Sequence, residues 1–129
     1  MTQQGAQPFP DKVVFDNARF WHEDWKRKLR DAVISKQTID QTSVERDDCC
    51  ELGQWIYSDG RRQFGHKPEF QSLLLNHKEF HMLAGAVAEV VNSQEFALAE
   101  AYLSEDTQLA QASREVNDSL SRLQRAVVG

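Results

Sequence analysis

The chain has 129 residues, 40% of them hydrophobic and 27% charged, with a formal net charge of −5. That length and balance suit one globular domain with its own core, and the acidic balance argues against nucleic acid and against anionic membrane surfaces as partners. The longest apolar run, residues 82–88, falls far short of the ~20 residues a membrane-spanning helix needs; residues 1–10 hold no basic residue and no apolar run, so no signal peptide and a cytoplasmic location are expected.

Residues 1–13 mix Gln, Gly, Pro and Thr without periodicity and read as a mobile N-terminal tail. Residues 14–128 read as one helical bundle. Phe15, Ala18, His22, Trp25, Leu29 and Val33 alternate three and four apart, which predicts an amphipathic helix with His22 on its inner face. Residues 36–66 lack sustained periodicity. Asp47 and Asp48 can open a short helical turn through Cys50, Leu52, Trp55 and Ile56, and Asp59-Gly60 and Gly65 predict turns.

Pro68 suits the first position of a second long helix, where its missing N–H is not needed. That helix aligns Phe70, Leu73, Leu74, His77, His81, Ala84, Ala88 and Val91 and ends at Asn92-Ser93. A last helix is expected over residues 94–127, with Phe96, Ala99, Tyr102, Leu103, Leu109, Val116, Leu120 and Leu123 inward. Asp106 and Ser113 fall on the same stripe, which is unusual for a purely structural core. The expected fold is all-α and antiparallel, like a four-helix bundle, with three long helices and short helical segments between the first two.

Three imidazoles on inward helix positions need partners, because a buried polar atom without one costs free energy. His77 and His81, four apart, share one helix face and can share a metal. Hydrogen-bonded core histidines are the alternative reading. Cys49 and Cys50 are adjacent and the only cysteines. Neighbours rarely form a comfortable disulfide, which leaves metal ligation, redox chemistry or simple packing. His66, between Phe64 and Pro68, reads as exposed and unrelated. A cysteine hydrolase would need an oxyanion hole and a cleft, for which no nucleophile elbow or Gly-rich loop is present. A di-iron site would need inward Glu-x-x-His pairs, also missing. A zinc hydrolase would leave one metal position open, whereas three histidines and a cysteine suit a closed zinc site.

Three short motifs carry a resemblance. His22 is followed three residues later by Trp25; Cys50, Gly53 and Trp55 form Cys-x-x-Gly-x-Trp; His77, Phe80 and His81 form His-x-x-Phe-His. In this order they resemble the chemoreceptor zinc-binding domain family over roughly residues 14–128. The resemblance implies zinc held by His22, Cys50, His77 and His81, and its register selects Cys50 over Cys49. It also implies a homodimeric sensor, not an enzyme, that answers to zinc or to cysteine oxidation. Its output would be a chemotaxis or cyclic-di-GMP partner not visible in this chain. A dimerisation bundle with a purely structural zinc is the alternative.

Overall fold

The computed structural model describes residues 12–128. The tail expected over residues 1–13 lies outside them except for Lys12 and Val13, which form the first turn of helix α1, Lys12–Ile34. Phe15, Ala18, His22, Leu29 and Val33 are buried along it, the stripe that the three-four spacing predicts. Lys36 ends the helix at φ 59°, with Gln37 N–H donating to Ala32 O and Lys36 N–H to Val33 O. This is a left-handed helix stop made without glycine.

A short helix α2, Gln41–Glu45, is capped by Asp40, whose carboxylate accepts from Ser43 N–H. Helix α2 lies on α5, Pro68–Asn92, and comes so close at Gly85 that a Cβ there would meet Glu45 Cβ at 2.6 Å. The Asn92 amide locks the preceding connection, accepting from Ile39 N–H at 2.9 Å and donating to Ile39 O at 2.7 Å.

Between α2 and α5 the chain forms one continuous helical run: α3, Glu51–Trp55, a π-helical turn, Ile56–Gly60, and α4, Arg61–Phe64. The turn expected at Asp59-Gly60 is therefore part of a helix. Packing decides this: Gly60 is buried against Trp55, where a Cβ would stand 3.0 Å from the indole, and the wider π turn accommodates that approach. Gly65 does end the run.

The single last helix expected over residues 94–127 is two helices, α6, Phe96–Ala101, and α7, Gln108–Val128. Local side chains compete for the backbone between them. The Thr107 hydroxyl reaches back to the carbonyls of Tyr102 and Ser104 and accepts from Ala110 N–H, while Ser104 Oγ donates to Ala101 O. Tyr102 and Asp106, expected inward, are exposed as a result. The three long helices are thus α1, α5 and α7, and among the described residues there is no strand. α5 packs against α7, and α1 against α7. Phe15, Leu52, Phe70, Phe80, Val116 and Leu120 fill one end of the core; Val33, Ala84, Val87 and Ala99 fill the other.

Candidate metal centre

The long helices supply the histidines. His77 and His81 occupy successive turns of α5 and are fully buried, with ring centroids 4.6 Å apart. His81 Nδ1 donates to the Val44 carbonyl of α2 at 2.8 Å. A carbonyl only accepts, so this bond places the proton on Nδ1 and leaves the Nε2 lone pair free. His77 Nδ1 is buried with no partner among the described residues. An orphaned ring nitrogen costs roughly 1–3 kcal/mol, so hydrogen bonding alone does not account for the pose of this ring.

Both Nε2 atoms face Cys50, whose Sγ lies 3.3 Å from His77 Nε2 and 3.4 Å from His81 Nε2. The spacing of Cys50 and Gly53 has a local cause. Cys50 is the N-cap of α3, and its Sγ accepts from Gly53 N–H at 3.2 Å, satisfying an end-of-helix donor and setting the sulfur against positive backbone dipoles. Gly53 must lack a side chain because the Asp47 carbonyl crosses above it; a Cβ would stand 1.9 Å from that oxygen. Asp47 is pinned in turn by Tyr57, which donates to its Oδ2 at 2.5 Å. Burial, then the Asp47 hydrogen bond, raises the Tyr57 pKa, so the phenol stays a donor.

Burial governs the protonation states. It lowers the His77 pKa to about 2, with His81 and then His22 adding repulsion, and it lowers His81 against the Val44 bond, which opposes it. These rings are neutral at pH 7, the form that ligates. Burial pushes the Cys50 thiol up to about 11 although the Gly53 N–H favours the thiolate. The sulfur therefore keeps its proton until a cation arrives to replace it.

Cys50, His77 and His81 each offer a ligand atom within 4.8 Å of the others. Zinc bonds of about 2.0–2.1 Å to nitrogen and 2.3 Å to sulfur put tetrahedral donors about 3.5 Å apart, close to the observed Sγ–Nε2 separations. His22 is not in this trio. It is buried on α1 with its ring edge on Phe80, centroids 4.7 Å apart, and its Nε2 hydrogen-bonds Ser113 Oγ of α7 at 2.9 Å. Burial, then Lys26, lowers its pKa to about 3. Trp25 explains its own place in His-x-x-Trp: its indole packs on His81 and Phe80 at 4.6 and 5.5 Å. Cys49 and His66 are exposed.

The sequence matches the chemoreceptor zinc-binding domain family over residues 22–88, just over half of the chain. The chain belongs to that family. Neither a curated protein nor a solved structure matches it. The chemoreceptor zinc-binding match begins at His22, ends at Ala88 and contains the whole Cys50–His77–His81 trio. It is narrower than the resemblance read over residues 14–128 and leaves α7, with Ser113, outside. The domain is thus a helical, zinc-binding regulatory sensor, and its thiolate-forming, double-imidazole donor set fits that ion. No helix among the described residues is long and apolar enough to cross a membrane.

Three partners of the site escaped sequence reasoning: the Val44 carbonyl, the Asp47–Tyr57 bond and the approach of α2 to Gly85. No residue-type signal marks a backbone carbonyl. Ser113 did leave a signal, as a hydroxyl on an otherwise apolar stripe.

Proposed function

We propose that the domain binds one zinc through His22, Cys50, His77 and His81, and that loss of Cys50 from the metal is its signalling event. The observation that carries this reading is the convergence of Cys50 Sγ and two histidine Nε2 atoms in a buried pocket whose protonation states suit ligation. His22 supplies the fourth donor by exchanging Ser113 for the metal. The ring adjoins the cluster closely enough that a proton on His22 would disfavour one on His77, and a proton on His81 would disfavour one on His22.

With zinc held there, Cys50 would give up its proton to solvent and serve as a thiolate ligand. Cys50 sits on the short α2–α3 connection, held by the Gly53 N–H and the Asp47–Tyr57 clamp, whereas the histidines ride on long helices. A peroxide-class oxidant attacked by this sulfur forms an S–O bond, breaks O–O and releases hydroxide. The sulfenic acid is a poorer ligand. The α2–α3 connection then loosens while the three histidines stay in place, and the change passes to a chemotaxis or cyclic-di-GMP output. Two copies assemble through α1 and α7. Phe20 and Ile34 of α1 and Val128 of α7 are large apolar side chains left exposed, and light scattering at high micromolar protein tests the dimer.

The near-complete burial of His77 and His81 favours a second reading, a structural zinc clip in a dimerisation bundle. Elemental analysis during a mild oxidant titration separates the two. A sensor holds one zinc per chain and releases or rearranges it as Cys50 oxidises; zinc that stays bound while the bundle is intact, with Cys50 unmodified, establishes the clip.

A further inference from the structure

A cavity of about 330 Å³ lies between α1, the α6–α7 connection and the start of α7, a volume in the range of small-molecule sites. Phe80, Leu29 and Leu109 form its apolar walls, and Lys26, Arg30 and Arg114 its cations. Among the described residues Glu105 is the one carboxylate on the lining, so three positive charges face one negative charge in a chain whose net charge is −5. Lys26 is shared with Glu23 at 3.3 Å. Among the described residues Arg114 meets only uncharged acceptors, the Glu105 carbonyl and the Gln111 side chain, and none of them neutralises its charge. The Arg30 guanidinium has no hydrogen bond or ion pair among the described residues.

We infer that this cavity is a binding site for a small organic anion, a carboxylate on a short aromatic or branched apolar body. The carboxylate meets Arg30 and Arg114, where a guanidinium fork matches its two oxygens. The body covers Phe80 and the leucines. An inorganic oxyanion would leave those walls bare, and a neutral analogue would leave the cations without a partner.

The site also touches the metal centre. Ser113 lines the cavity and its hydroxyl is occupied by His22. On the four-ligand reading above, on which this step rests, His22 moves to zinc and Ser113 becomes a free donor facing the cavity. Zinc and the anion then favour one another's binding, and the coupling is reciprocal.

Isothermal titration of the full chain with benzoate tests the proposal, with benzyl alcohol and inorganic phosphate as comparisons and zinc content measured on every sample. Benzoate should bind one per chain and more tightly than either comparison. Arg30→Glu and Arg114→Glu should each weaken it at least about tenfold, the cost of a charge-assisted hydrogen bond, with zinc content unchanged. Zinc should tighten benzoate binding in the natural chain and not in Ser113→Ala. No benzoate binding at about 10 mM, where even weak sites fill, overturns the site. So does equal binding of benzyl alcohol, tighter binding of phosphate, or indifference to both arginine variants. Benzoate binding that ignores zinc overturns the Ser113 link alone, and a chain that takes up no zinc when zinc is supplied, yet binds benzoate, overturns the metal reading and leaves the cavity standing.

Discussion

Replacing Gly53 by Ala probes the zinc centre through the backbone, without touching a ligand. The added Cβ would stand 1.9 Å from the Asp47 carbonyl oxygen, against 3.4 Å for ordinary contact. The obstacle is backbone, so the Asp47–Cys50 connection must retreat by about 1.5 Å, a displacement that a packed interior resists. Cys50 lies in that connection, and its Sγ is held by the N–H of the substituted residue. Metal bonds tolerate displacements of about 0.2 Å, so the sulfur leaves the site while His77 and His81 stay. Loss of one such positioning contact costs roughly 10–100-fold in zinc affinity, or about 1.4–2.8 kcal/mol. Overpacking destabilises the metal-free fold by a further ~1–3 kcal/mol. Competition with a chromophoric chelator measures the affinity, and urea unfolding of metal-free protein measures the stability. Because Gly53 acts through Cys50, the alanine change should add little to the affinity loss of Cys50→Ala. Affinity within about twofold of the natural chain, well inside the expected loss, or full additivity with Cys50→Ala, would refute the argument.

The metal-free protein should lose stability as pH falls below about 6.5. Burial holds the folded-state pKa of His22 at about 3 and of His77 at about 2, so the unfolded chain takes up protons first; their stabilising contribution is full above the unfolded value and drains towards the folded ones. The two rings together give a slope of up to about 2.7 kcal/mol per pH unit, and equal urea midpoints at neutral and mildly acidic pH would contradict it. Ser113→Ala removes the partner that His22 must release, a bond worth about 1 kcal/mol net, and should raise zinc affinity roughly fivefold; unchanged or weaker binding would place His22 outside the ligand set. His77→Ala with His81→Ala should abolish zinc binding, whereas Cys50→Ala should leave a weaker three-histidine site and Cys49→Ala should change affinity little. Zinc lost from the Cys49 variant and kept by the Cys50 variant would invert the cysteine assignment.

What could be read in the sequence was periodic or local. The three-four stripes of Phe15 to Val33 and Phe70 to Val91 marked α1 and α5 and placed three imidazoles inward. Pro68 marked where α5 starts, and the spacing of Cys50 and Gly53 encoded an N-cap and the N–H it receives. These features depend on residues within a few turns of one another, so one-dimensional pattern suffices. The division of the last helix was local as well, written in Ser104 and Thr107, but the apolar stripe running through it carried the expectation past the break.

Only the tertiary structure decided what crosses between segments. Val44 fixes the His81 proton from α2, 37 residues away. The Asp47 carbonyl, stacked over Gly53, makes glycine obligatory there. Ser113, 91 residues from His22, holds the ring that the motif assigns to zinc. A backbone carbonyl carries no residue-type signature, and a long-range hydrogen bond exists only once packing has set two helices at a particular distance and rotation. The sequence therefore determined which groups could hold a metal. The packing of α2 and α7 against α1 and α5 decided which of them already meet and which must move to join.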